Sequence, residues 1–230
     1  MSEQTGAGMV LIAVPVLFNV GFTLLAQRFD YPDILRRPTH EVLERFRAGG
    51  TALILIWWAF AMSAVLFAAL AVLFALAVDD ADPTLVVLGA VVGVLASVVQ
   101  FLGLIRWPFL VPYLAQKSAE ASPDSATGQA VDIVFQSFNR YLGVAVGEHL
   151  GYAFTGIWSI FAGVVLIDST LAPDWLGVLG VVIGPLFLLC SAEFLGRTED
   201  PGWKLAELLT PITYIAWSLW LIAVGIALLV

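Results

Sequence analysis

The chain has 230 residues, is 60% hydrophobic and only 12% charged, and carries a formal net charge of −8. Its mean hydropathy of +0.96 excludes an ordinary soluble domain, which is nearer half apolar and one-quarter charged. The acidity argues against nucleic acid as a partner, and one cysteine, Cys190, rules out an intramolecular disulfide or a cysteine-rich metal site.

Six apolar stretches are long enough to cross a bilayer, at about 20 residues per crossing. The first, 9–27, holds Pro15 and Asn19. The MSEQTGAG before it lacks the basic region of a cleaved signal peptide, so this stretch is expected to stay as a span. The link 28–50 follows. Pro38 and Thr39 can start a helix there, with Thr39 as cap and Glu41 in the first turn. Val42, Leu43 and Phe46 give it an apolar stripe, and Gly49-Gly50 would end it. This reads as a short amphipathic cytoplasmic helix lying at the membrane surface, with partner docking or gating as the other reading. His40 and Glu44 are four apart, but one His with one carboxylate reads as a solvated pair rather than a metal site.

The second stretch, 51–78, carries no charge. As a helix of about 28 residues it would be roughly 42 Å long and must tilt or protrude. Asp82 then fits an N-cap and Pro83 the first helical position. The third span is expected over 84–106, with its own row of small residues, Gly89, Gly93 and Ser97. Pro108 and Pro112 would kink or end that helix, leaving RWPFLVPYLAQ at the interface. Residues 116–128 are small and polar and read as a loop.

The fourth helix begins outside the membrane at 129–140 and spans 141–167. Every fourth residue in it is small: Gly143, Gly147, Gly151, Thr155, Ser159, Gly163. Positions four apart in a helix lie nearly above one another, and small-xxx-small rows drive helix packing in lipid. Gly143, Gly147 and Gly151, with Gly89 and Gly93, are therefore the predicted packing residues, as in a glycine zipper. The fifth and sixth spans are expected over 175–196 and 210–230. The whole, 1–230, reads as one all-α membrane domain of six transmembrane helices.

All ten lysines and arginines fall on the side of the first, third and fifth links. Basic residues near span ends stay in the cytoplasm, so both termini are expected outside. The acidic Asp79, Asp80, Asp82, Asp168 and Asp174 lie on the outer side.

The candidate chemistry sits in the fourth span. Glu148 and His149 are ionisable residues at membrane depth, which mark functional positions by default. At 100° per residue, Glu148 shares a face with Tyr141, Tyr152, Thr155 and Ser159, and His149 points away from it. Arg106, Gln100, Asn139 and Glu193 fall in the same membrane half. A carboxylate there must be paired, hydrogen-bonded or protonated. Two readings compete. One is an internal ion-pair network joining Arg106 or Arg140 to Glu148 or Glu193. The other is a cytoplasm-facing ligand pocket built from Arg106, Glu148, His149, Glu193, Gln100, Asn139 and Tyr152. No catalytic triad order, phosphate-cradling glycine loop or metal-spaced histidines are present. A haem would need an axial His, and only His149 lies within a span, so no metal and no cofactor are expected.

The segments YPDILRRPT, QFLGLIRWPFLVPYLA, FQSFNRYLGVAVGEHLGY and AWSLW resemble the domain-of-unknown-function 4386 family of bacterial multi-span proteins, over nearly the whole chain. The resemblance implies a bundle in a bacterial inner membrane, and the location expected for the chain is a bacterial or archaeal plasma membrane. It supplies no activity and no functional residues. The reading is thus an integral inner-membrane protein that binds or transports a small molecule or ion. The alternative is a structural or regulatory subunit that docks a partner through 28–50. An intramembrane enzyme is the least favoured. A homo-oligomer is compatible with either of the first two.

Overall fold

The computed structural model describes residues 2–196 and 202–230. Arg197, one of the basic residues of the topology argument, lies outside them. The described residues are helical, without strands: α1 (Glu3–Phe29), α2 (Thr39–Leu76), α3 (Pro83–Ala119), α4 (Ala126–Phe138), a π-helical segment (Asn139–Leu150), α5 (Gly151–Asp168), α6 (Asp174–Ser191) and α7 (Lys204–Leu229). Among them are six helices long and apolar enough to cross a membrane, with α4, the π segment and α5 running on as one rod, Ala126–Asp168.

Local chemistry sets most boundaries. The Asp82 carboxylate caps α3 by accepting from the Thr84 N–H at 2.7 Å, with Pro83 in the first turn as expected. Asp30, in the left-handed region at φ 62°, closes α1 by donating its N–H to the Leu25 and Ala26 carbonyls. Gly50, at φ 56° and ψ −154°, breaks α2 into 39–49 and a long span, which only glycine does without strain. Thr39 is not the cap. Pro38 takes that position, and the Thr39 hydroxyl donates to Asp132 on α4 while accepting from Gln136 at 3.0 Å. The stripe of Val42, Leu43 and Phe46 is buried against the protein, so the 39–49 helix turns its apolar face inward.

Pro108 and Pro112 do not end α3, which continues to Ala119. The reason is packing on both sides of the prolines. Trp107, Val111, Leu114 and Ala115 form a buried stripe through this region, and a spanning helix tolerates proline where its neighbours hold it.

Two hydrophobic clusters form the core. One, centred on Phe67, Trp158, Phe187, Trp217 and Trp220, joins the helices at the end carrying the acidic loops. The other, centred on Phe29, Phe46, Trp57, Trp107 and Phe135, packs the 39–49 helix and α4 beneath the spans. At the first end the loops clasp: the Asp80 carboxylate accepts from the Thr170 N–H at 3.0 Å and its hydroxyl at 2.7 Å.

Candidate functional site

The site lies where α3 crosses the π segment. There the backbones meet directly. A Cβ built on Gly103 would stand 2.7 Å from the Gly147 Cα, and one on Gly151 2.9 Å from the Gln100 Cγ. Gly143 lies under the Arg106 guanidinium, 2.5 Å from the place its Cβ would occupy. The other predicted packing glycines are also close to neighbours: Gly93 faces Ala71 and Trp158, and Gly89 faces Phe161. Further along the row, Gly163 meets α6 at Gly177 rather than α3.

This crossing holds Arg106 in place. Its Nη2 donates to the Asn139 Oδ1 at 2.9 Å, its Nη1 donates to the Gly103 carbonyl, and the guanidinium lies 5.3 Å from the Trp107 ring centre. Nearly two turns away on α3, the Gln100 amide donates to the Thr155 hydroxyl at 3.0 Å. The predicted polar residues of α3 and the π segment therefore do meet, but Arg106 is paired with an amide and a carbonyl instead of a carboxylate.

Glu148 faces the bundle interior. It lies within electrostatic reach of Arg106 and Glu193, and Tyr31, Tyr152 and Tyr214 in turn lie within reach of Glu148. Yet among the described residues its carboxylate makes no hydrogen bond and no ion pair. The expected bond to Arg106, Arg140 or Tyr152 is not formed. Arg106 already has its partners, and Tyr152 packs its ring on Tyr214 at 5.5 Å and Phe187 at 6.2 Å. His149 is turned to α6, where its Nδ1–H donates to the Ser191 carbonyl at 2.7 Å. That makes it a tie between helices, pointing away from the Glu148 group.

Tyr31 and Tyr214 are site residues that sequence reading missed. Tyr214 stacks on Phe18 at 5.6 Å and meets Phe187 edge-on at 4.9 Å. Tyr31 stands edge-on to Trp57 at 5.1 Å. Burial, then the Glu148 charge, pushes the Tyr31 phenol above its usual range, against a smaller opposing effect of Arg106, so it stays neutral. The available signal was the phenol itself, since a hydroxyl inside an apolar bundle needs a partner. The hydroxyls of Tyr31, Tyr152 and Tyr214 make no hydrogen bond among the described residues. Like the Glu148 oxygens, they are not among the fully enclosed unpartnered side-chain atoms of the described residues, which are the indole nitrogens of Trp57 and Trp107. These two rings stack at 4.4 Å and 9° beside the site. No group of three or more metal-ligating side chains exists among the described residues.

No curated protein and no solved structure matches the chain. A family model does match, over residues 6–225, nearly the length of the chain. The chain belongs to the family described as Domain of unknown function (DUF4386).

Proposed function

We propose that this membrane protein binds or transports a small molecule or ion through a polar pocket around Glu148, open toward the cytoplasm of a bacterial or archaeal cell. One observation carries the reading. A carboxylate and three phenols from the π segment, α5, α7 and the α1–α2 link come within electrostatic reach of one another, and none has a hydrogen-bond partner among the described residues. Polar groups inside a membrane bundle are expensive unless satisfied, and such groups mark ligand or ion pathways. Arg106, Asn139 and Gln100 frame the pocket. Gly143, Gly147 and Gly151 act as a glycine zipper that lets α3 approach it. With the basic links inside, both termini lie outside.

The test is water access. In a Cys190→Ser background, a cysteine at Tyr152 or Tyr214 should react with a charged methanethiosulfonate reagent in nanodiscs. A cysteine at Ser122 should react in cells only once the inner membrane is breached. Unreactive cysteines at both pocket positions would refute the pocket. A second reading has its own support. An open groove of about 330 Å³ is lined by Ile34, Arg37, Glu41, Glu44, Arg45 and Ala48, and it suits a partner that docks on the 28–50 link. Charge reversal at Arg45 and Arg37 would abolish such docking and leave the Glu148 pocket unchanged.

A further inference from the structure

We propose that the pocket's ligand is a small organic ammonium ion, ion-paired to the Glu148 carboxylate and held against the tyrosine rings. The proposal rests on the pocket reading above and gives it a ligand class. Four features lead to a cation of this kind.

First, the pocket's unpaired charge is negative. Glu148 has no partner among the described residues, and the phenol oxygens of Tyr31, Tyr152 and Tyr214 are likewise unbonded. A carboxylate in such a place needs a positive charge, a donor or a proton, and it keeps its charge best beside a cation.

Second, the cation closest at hand is withheld. Arg106 spends one terminal nitrogen on Asn139 and the other on the Gly103 carbonyl, with its plane over Trp107 and Gly143 beneath it. An anion would have to share the site with the Glu148 carboxylate and lie near Glu193, which is within electrostatic reach of it, so like-charge repulsion disfavours anionic ligands.

Third, the walls are aromatic. Tyr152, Tyr214, Phe187 and Phe18 pack in one continuous group. A ring face attracts an ammonium most strongly where water is thin.

Fourth, a multivalent metal ion lacks ligands, since no cluster of three metal-binding side chains exists among the described residues. A single charge with a soft apolar shell is what one carboxylate and a set of rings can satisfy. Glu193 lies within electrostatic reach of Glu148. His149 is committed to the Ser191 carbonyl.

The experiment is thermal unfolding of the full chain in nanodiscs with methylammonium, tetramethylammonium, sodium or potassium chloride at equal ionic strength. A saturable rise in Tm is expected for the ammonium salts alone. It should reach about 5–10 °C when the probe is at about a hundred times its Kd. Glu148→Gln should abolish the shift. Should that variant fold poorly, Tyr214 gives a second readout. Tyr214→Leu should weaken the apparent affinity by about 3–30-fold, the range of one cation–π contact, and Tyr214→Phe should restore it. No ammonium-specific shift, an equal shift with sodium or potassium, or an undiminished shift in Glu148→Gln would overturn the proposal. If cysteines at Tyr152 or Tyr214 are water-reachable and no ammonium acts, the ligand class fails while the pocket stands. If they are sealed, the pocket itself fails.

Discussion

The α3 crossing can be tested by adding one methyl group. In Gly103→Ala the new Cβ would sit 2.7 Å from the Gly147 Cα and 3.0 Å from the Leu142 carbonyl oxygen. Ordinary contact begins at 3.4 Å, so the two backbones must separate by at least about 0.7 Å, taking the shorter of these contacts. Neither atom belongs to a flexible side chain that could swing away. Overpacking of this kind costs about 1–3 kcal/mol. For a protein of this size, that corresponds to a Tm lower by roughly 2–12 °C. Gly89→Ala is the matched control. Its Cβ would meet the Phe161 side chain, with Cβ at 3.3 Å and Cγ at 4.0 Å, and a shift of a few tenths of an ångström suffices. Differential scanning fluorimetry of both variants in one detergent, with tryptophan emission to confirm folding, separates the two cases. Equal Tm values for wild type, Gly103→Ala and Gly89→Ala would show that α3 and the π segment do not meet at this point.

Three further outcomes follow from individual contacts. Thr39→Val removes the bonds to Asp132 and Gln136 that join the 39–49 helix to α4, and should lower stability by about 1.5–3 kcal/mol in chemical denaturation; no change would mean that the α4 contact is not formed. Trp57 donates to nothing among the described residues, whereas Trp217 donates to the Ser159 hydroxyl at 3.0 Å, so Trp217→Phe should cost about 0.5–1.5 kcal/mol more than Trp57→Phe; the reverse order would contradict the assignment. At the loop clasp, the Thr170 hydroxyl and N–H hold the Asp80 carboxyl below its usual range. A carboxyl whose folded value is depressed adds stability above its unfolded pKa and loses it as pH falls through the folded one. Acid loss of the clasp, followed by hydrogen exchange of the 168–171 loop, should therefore begin at higher pH in Thr170→Val than in wild type. Coincident profiles would rule the bond out.

The sequence carries the spans because partition into lipid depends on composition, and composition needs no knowledge of neighbours. Asp82-Pro83 and Gly49-Gly50 were equally legible, since a cap and a backbone break are local matters. What was not legible depends on which helix lies opposite. Pro108 and Pro112 predict a kink in α3 or its end, and the buried face of Trp107, Val111 and Leu114 keeps it going. Arg106 near Glu148 suggests an ion pair. The observed partner is Asn139, because the crossing register places the amide beside the guanidinium. Tyr31 lies in a link and Tyr214 in an apolar span, and neither has a local pattern that separates it from ordinary packing aromatics.

The π winding of Asn139–Leu150 explains how these registers fit together. Along the seam Gly143 meets Arg106, Gly147 meets Gly103 and Gly151 meets Gln100. The glycine strand thus advances eight residues while α3 advances six. Six α-helical residues rise about 9 Å, and eight would rise about 12 Å. Two α-helices would therefore lose step by about 3 Å between Gly143 and Gly151. A π coil bonds each N–H five residues back and packs more residues into each turn, so it climbs less per residue and keeps every glycine opposite its partner. The same winding carries more than four residues per turn, so a row spaced by four still runs along the axis. The glycine row therefore survives as a seam even though the α-helical angle used to read it does not apply there. Between Gly147 and Gly151, Glu148 is carried on the segment that α3 holds most closely, which gives its carboxylate a fixed place next to a cation that is bonded elsewhere.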